Sequence, residues 1–264
     1  MHSRNSGRRP LNEGPASHAL LVAAHGERTV AADNRALMRL AAALRERRLA
    51  HEVALGFIKG TPSIGQSVQA LAADNVIIYP VFMSDGYFTR TRLPQLLREA
   101  LGRESKRRFQ MLPPLGLEPG LSHLIARRLL ATARERALAP EQTNVILLAH
   151  GSTKDPASRA AAEQIVDSVR RQALFRSVGL ALLEEAPDLA EAACTMAGAL
   201  IVFGLFAGEG LHGAPDAPRL VGQLGRADAI FAGTVTRLEG LEELMAAAIA
   251  KAIRSAQLHQ DRER

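Results

Sequence analysis

The sequence twice places a histidine directly after an apolar run and directly before a glycine. His25 follows the segment LLVAA, and His150 follows the segment VILLA. A neutral imidazole offers a nitrogen lone pair near pH 7, so it can bind a divalent transition metal ion or accept a proton. An apolar strand followed by an amphipathic segment is typical of a parallel α/β unit, in which ligands bind at the carboxyl ends of the strands. We therefore expect both histidines to lie where such proteins do their chemistry.

The two histidines belong to an internal repeat. At the offset that separates them, the segment Leu55–Ile64 falls on the segment Leu180–Leu189, and the register continues further along the chain with one residue deleted. Proline and glycine matches seldom keep register over such a distance by chance, so the sequence predicts a duplicated domain. The matched pairs are His25 with His150, Pro62 with Pro187, Gly86 with Gly210, and Pro94 with Pro218.

Strands and helices are predicted to alternate through both halves. This pattern indicates two similar doubly wound parallel-sheet α/β domains from an internal duplication. We expect the active cleft to lie between them. We expect a disordered tail over residues 1–17, a first domain over 18–139 and a second over 140–258. The predicted strands are 19–24, 52–58, 75–82, 109–112, 143–149, 177–183, 199–206 and 228–232, and the predicted helices are 28–48, 62–73, 92–103, 118–137, 155–172, 187–197, 215–224 and 237–257.

Composition excludes several classes of protein. The single cysteine, Cys194, rules out an internal disulfide framework and a zinc site built from cysteines. The longest apolar run, Ala197–Ala207, is too short to cross a bilayer, and residues 1–17 lack the apolar core of a signal peptide. We therefore expect a cytoplasmic protein with no membrane partner. The net charge of +6 comes without tryptophan or interleaved aromatic residues, which favours a basic surface for anionic small molecules over nucleic-acid binding.

Three features together resemble the class II tetrapyrrole chelatases, the group of sirohydrochlorin cobaltochelatases and ferrochelatases. The first feature is an apolar strand followed by His-Gly-Ser at residues 150–152, and the second is a strand that ends at Glu184 before Pro187. The third is the segment GLFAGEGLHGAPDAP over residues 204–218. The resemblance covers nearly the whole chain after the tail, with one family unit in each half. It implies insertion of a divalent metal ion, cobalt, iron or nickel, into sirohydrochlorin or a related tetrapyrrole, in cobalamin or siroheme biosynthesis. It implies that the reaction needs no organic cofactor and that the metal ion is a substrate.

The resemblance also implies which residues do the chemistry. His150, Glu184 and His212 are the expected metal ligands and catalytic residues, whereas the first half carries Lys59 and Phe88 at the positions of Glu184 and His212. A lysine repels a cation and a phenyl ring has no lone pair, so we expect the first half to be a decayed copy that forms the opposite wall of the cleft. The expected substrate-binding residues are Lys59, Phe88, Arg90, Ser152 and Gly210.

Other interpretations stay open at this point. The segment AHGER resembles the start of the histidine phosphatases, but Ala24 and Ala149 stand where that family has a phosphate-binding arginine. A metal or tetrapyrrole binding protein that has lost turnover would show the same pattern. Glu184 can equally be a surface carboxylate beside Glu185, and His25 a relic. The identity of the metal and of the macrocycle and the oligomeric state are left open by the sequence.

Overall fold

The chain forms two four-stranded parallel sheets of the same topology. The computed structural model describes residues 18–26, 34–102, 105–208 and 216–262. The strand order is β2-β1-β3-β4 in the first sheet and β6-β5-β7-β8 in the second, which confirms the predicted duplicated α/β fold. The strands are β1 (His18–Ala24), β2 (Glu52–Phe57), β3 (Asn75–Val81), β4 (Arg108–Met111), β5 (Asn144–Ala149), β6 (Ser177–Leu182), β7 (Leu200–Gly204) and β8 (Ala229–Thr234).

The helices follow the strands as predicted, most of them with shorter bounds, whereas α8 extends five residues beyond its predicted end. The predicted tail, 1–17, and residues 28–33 of the first predicted helix lie outside the described residues. Capping boxes at Ser63 and Asp188 start α2 and α6 two residues later than expected, because each side chain accepts a hydrogen bond from the third backbone N–H of its helix. A π-helical turn, Phe88–Arg92, leads into α3 and was not predicted. The helices are α1 (Arg35–Glu46), α2 (Ile64–Ala70), α3 (Leu93–Leu101), α4 (Leu121–Glu135), α5 (Ala157–Arg170), α6 (Leu189–Cys194), α7 (Asp216–Gln223) and α8 (Leu241–Arg262).

Three apolar clusters hold these layers together. The central cluster contains side chains from both sheets and from α1, α4, α5 and α8. The other two lie on the outer faces, under α2 and α3 in the first sheet and under α6 and α7 in the second. Strands β1 and β5 are buried along their whole length. Both central strands are therefore fixed from two sides, and so are the residues that follow them.

The last helix of each half packs on the sheet of the other half. Helix α4 lies against β7 and β8, where Arg128 Nε donates to the Ala232 carbonyl over 2.9 Å, and α8 lies against β3 and α1. The contacts are reciprocal, since a Cβ on Gly120 would meet Leu244 at 2.6 Å and one on Gly240 would meet Leu124 at 3.4 Å. This exchange fixes the two sheets relative to each other. No helix in the described part of the chain is long and apolar enough to cross a membrane.

Candidate active site

Each central strand ends in the same tight loop. Gly26 and Gly151, which follow His25 and His150, have φ values of +71° and +72°, a left-handed conformation that glycine adopts without strain. A Cβ on Gly151 would lie 2.9 Å from the Glu185 carboxylate, and one on Gly26 would collide with the Lys59 carbonyl. The glycines thus let the chain turn sharply beside the neighbouring loop. Both histidines come to the carboxyl edge of a sheet, as the sequence predicted.

The loops after β2 and β6 pair with the histidines in the same way. The backbone N–H of Lys59 donates to the His25 carbonyl over 2.7 Å, and that of Glu184 donates to the His150 carbonyl over 3.0 Å. Lys59 and Glu184 therefore occupy equivalent backbone positions, in agreement with the alignment of the two halves. The backbone hydrogen bond is shared, and the side chain changes from a cation in the first half to an anion in the second.

In the second half an imidazole and a carboxylate lie together. His150 Nδ1 is 3.5 Å from Glu184 Oε1, and the two side chains are 44% and 52% exposed. This distance is long for a hydrogen bond, but both groups face the same accessible space. The described residues contain no cluster of three or more histidine, cysteine, aspartate or glutamate side chains that could hold a metal ion. His212 and Gly210, the other residues predicted for this site, lie outside the described residues.

A cleft of about 880 Å³ joins the two halves at these loops. His25 and Lys59 line it from the first half, and His150, Ser152 and Glu184 line it from the second. Its size falls within the range of about 300–1,000 Å³ typical of small-molecule sites. The cleft expected between the two halves is therefore present, and most of the predicted site residues line it.

The first half contributes an aromatic wall. The Phe88 ring packs edge-on against the His25 imidazole with centroids 4.9 Å apart, and it stacks on Phe82 at 6.2 Å. Phe88 is 37% exposed and Tyr87 54%, so both rings present apolar surface. His25 Nδ1 lies 3.0 Å from the Gly26 carbonyl. A carbonyl oxygen only accepts, so this contact is a hydrogen bond when Nδ1 carries the proton.

Two predicted substrate-binding residues are engaged in local contacts. Ser152 lines the cleft, but its hydroxyl accepts from the backbone N–H groups of Lys154 and Asp155, each over 3.2 Å. Arg90 projects from the π-helical turn and pairs with Asp85, Nε to Oδ2 over 2.9 Å. It is not among the residues that line the cleft. Ser152 therefore shapes the loop of His150, and Arg90 lies beside the cleft.

Sequence reasoning missed two carboxylates that build the site. Glu185 accepts from the Ser152 N–H over 2.6 Å and from Arg159 Nε over 3.0 Å, and these bonds hold the pKa of its carboxyl below the ordinary value. Asp155 accepts from the Tyr87 N–H of the opposite half over 2.8 Å. In the sequence, only its place before Pro156, shortly after the segment 150–153, marks Asp155 as a residue of this loop. Glu185 carries none beyond its place next to Glu184.

Comparison with known proteins agrees with this architecture. The model of the CbiX family matches residues 19–132 and 144–256, one unit in each half. The probable sirohydrochlorin cobaltochelatase of Halobacterium salinarum is 24% identical over an alignment of 221 positions, with coverage of 76% of this chain and 75% of that protein. The match thus spans most of both chains.

Solved structures show the same arrangement. The structure of CbiX, described as the terminal enzyme for biosynthesis of siroheme in denitrifying bacteria, has 27% identity and a TM-score of 0.74, with coverage of 89% of this chain and 99% of that one. SirB from Bacillus subtilis with Fe³⁺ shares the fold at a TM-score of 0.77 and 12% identity, with coverage of 91% and 97%. The chain therefore belongs to the CbiX family of sirohydrochlorin chelatases.

Proposed function

We propose that this chelatase inserts Co²⁺ or Fe²⁺ into sirohydrochlorin in the cleft between its halves, with His150 and Glu184 on the metal side. The observation that carries the proposal is the 3.5 Å approach of His150 Nδ1 to Glu184 Oε1 at the edge of a cleft about 880 Å³ in volume. The name of the halobacterial relative specifies cobalt, and the description of the denitrifier's CbiX specifies siroheme. Both metals therefore belong in the test.

The spacing of the two groups suits a shared metal ion. Bonds of about 2.1 Å at a tetrahedral angle place two ligand atoms of one ion about 3.4 Å apart. Nitrogen and oxygen ligands bind divalent cobalt and iron without the strength of thiolates, so the ion can leave again for the macrocycle. His212 is proposed as a further ligand, on the family resemblance alone.

Insertion also releases protons. A divalent ion replaces two pyrrole N–H protons, so the reaction forms the metallated macrocycle and two H⁺. An unprotonated His150 or Glu184 on the metal side can accept these protons one after the other and pass them to water, because both side chains remain about half exposed.

The first half supplies what the macrocycle needs. The exposed face of Phe88 can stack on a tetrapyrrole plane, and Lys59 places a positive charge at the same cleft, where it can bind a substrate carboxylate. Lys59 occupies the position in the first half that Glu184 occupies in the second, so the first half presents a positive charge to the cleft where the second presents a negative one. Gly210 and Arg90 are proposed as secondary contacts of the macrocycle.

The test is an absorbance time course with purified protein, sirohydrochlorin and Co²⁺, Fe²⁺ or Ni²⁺ in turn. We expect insertion to exceed the spontaneous reaction by on the order of 10²-fold or more. Retention of sirohydrochlorin without faster insertion would contradict the proposal, and would identify a tetrapyrrole binding protein instead.

A further inference from the structure

One carboxylate joins the two walls of the cleft. Asp155 Oδ2 accepts from the Tyr87 N–H over 2.8 Å, and Asp155 Oδ1 accepts from the Ala157 N–H over 3.0 Å. Ala157 begins α5 in the second half, and Tyr87 precedes the π-helical turn that leads into α3 in the first half. A carboxylate stabilises the N-terminus of a helix through its free N–H groups and its dipole. Asp155 thus accepts one backbone hydrogen bond at the start of a helical segment in each half.

Gly86 packs closely against the Asp155 carboxylate. A Cβ on Gly86 would lie 2.5 Å from Asp155 Oδ2, closer than Cβ atoms approach other atoms in proteins, and 3.3 Å from Asp155 Cγ. The Gly86 carbonyl in turn accepts from the N–H groups of Thr89 and Arg90, over 3.1 and 2.9 Å, which starts the π-helical turn. Gly86 therefore lets the first half approach the second closely enough for the Tyr87 N–H to reach Asp155.

The bond links the aromatic wall to the loop of His150. Phe88 follows Tyr87 directly and packs on His25, so the position of the Tyr87 backbone sets where the wall lies. On the other side, the Asp155 N–H donates to the Ser152 hydroxyl over 3.2 Å, two residues after His150. Asp155 therefore couples the backbone beside Phe88 directly to the loop of His150, in addition to the packing of α4 and α8 that fixes the two sheets.

We infer that Asp155 is a positioning residue for tetrapyrrole binding, which holds the Tyr87–Phe88 wall at a fixed gap from the His150 loop. This inference rests on the proposed function for its ligand, a planar macrocycle with several carboxylates. A fixed gap stabilises the bound complex because the wall is already in place when the macrocycle enters. Asp155 itself takes no part in metal binding or proton transfer.

The Asp155 carboxyl has a pKa below its ordinary value. Hydrogen bonds from the N–H of Ala157 and then that of Tyr87 lower the pKa of its carboxyl, and Arg90 adds a smaller effect in the same direction. The group is therefore ionised at neutral pH, and its bonds to both helices are charge-assisted.

The first test compares Asp155→Ala with Asp188→Ala in the full chain. Asp188 likewise accepts from a backbone N–H at the start of a helix, that of Glu191 over 2.8 Å, but it bonds within the second half alone. For Asp155→Ala we expect amide hydrogen exchange at Tyr87 to rise about tenfold, KM for sirohydrochlorin to rise about tenfold, and kcat to change less than about threefold. For Asp188→Ala we expect neither the exchange at Tyr87 nor KM to change.

The second test approaches the same bond from the other side. Gly86→Ala should reproduce the defect, because its methyl group displaces the Asp155 carboxylate, whereas Gly222→Ala has open space around it and should not. The double variant Gly86→Ala/Asp155→Ala should have the same KM as Asp155→Ala alone, because both changes break the same hydrogen bond between Tyr87 and Asp155. Asp155→Asn keeps a single acceptor oxygen and should give an intermediate KM, which serves if the alanine variant does not fold.

Two results would overturn the inference. One is unchanged exchange at Tyr87 in Asp155→Ala, and the other is a fall in kcat at unchanged KM, which would place Asp155 in the chemistry. Failure of the proposed function is distinguishable, because the wild-type protein would then insert no metal while exchange at Tyr87 would still respond to Asp155→Ala.

Discussion

The two halves of the molecule share one backbone arrangement but surround their histidines with different side chains. The strand orders, the left-handed glycines and the hydrogen bonds from Lys59 and Glu184 to the histidine carbonyls correspond from half to half. What differs is the surroundings of each histidine: a carboxylate 3.5 Å from His150, and a phenyl ring packed on His25. Under the proposed function, the duplicated scaffold keeps its geometry while one copy binds the metal ion and the other binds the anionic, planar substrate.

The largest expected effect of this difference is on the histidines. His150→Ala should lower the rate of metal insertion on the order of 10²-fold or more, because it removes a positioned ligand and proton acceptor. His25→Ala should cost little, and His123→Ala, an exposed position on α4, serves as the control. The measurement is initial rate by absorbance, with circular dichroism to check folding. Equal losses from His25→Ala and His150→Ala would show instead a single site built by both halves, and the reverse order would mean that the active half is wrongly assigned.

A smaller loss is expected at the carboxylate. Glu184→Gln keeps the size of the side chain but removes its charge, so the attraction for the metal ion weakens, and we expect about a tenfold fall in kcat/KM for the metal. Glu163→Gln is the matched control, since Glu163 is 53% exposed and Glu184 52%, and its partner is Arg159 on the same helix. Equal rates for the two variants would favour the reading of Glu184 as an ordinary surface carboxylate.

Much of this fold could be predicted because it is encoded locally. Apolar runs such as Val145–Ala149 become buried strands where helices cover the sheet. The register of the repeat shows that Lys59 and Glu184 occupy equivalent positions in the two halves. The cleft lining at His25, His150 and Glu184 follows from the rule that parallel strands present their carboxyl ends at one edge.

What could not be predicted depends on contacts between distant segments. The exchange of α4 and α8 between the sheets leaves no trace in the periodicity of either helix, because the same apolar stripe suits either sheet. Asp155 bonds to Tyr87 across 68 positions, and neither residue carries a local pattern for it. The π-helical turn at Phe88–Arg92 likewise arises where Thr89 Oγ1 donates to the Ser84 carbonyl over 3.1 Å.

The wall hypothesis predicts effects on binding rather than on turnover. Phe88→Ala removes the ring that faces the macrocycle, and Lys59→Ala removes a charge that can bind a carboxylate, so each should raise KM for sirohydrochlorin severalfold and leave kcat within about threefold. The Lys59 effect should shrink in high salt, since exposed charges are screened, whereas the Phe88 effect should persist. A fall in kcat at unchanged KM in either variant would contradict the assignment of this half to the macrocycle.

The smallest effect concerns acid stability of the His150 loop. Hydrogen bonds from the Ser152 N–H and from Arg159 lower the folded-state pKa of Glu185 below its ordinary value of 4.5, so the ionised carboxylate stabilises the fold. That contribution is fully present above pH 4.5 and is lost as the pH falls through the lowered value. Glu185→Gln lacks it at every pH. The melting temperature of the wild type should therefore exceed that of Glu185→Gln by at most a few degrees near neutral pH, and the gap should close as the pH falls through the lowered pKa of Glu185. Thermal unfolding followed by circular dichroism at a series of pH values measures the gap directly. A gap that stays constant down to the acid limit would mean that the Glu185 carboxylate holds the loop by shape and not by charge.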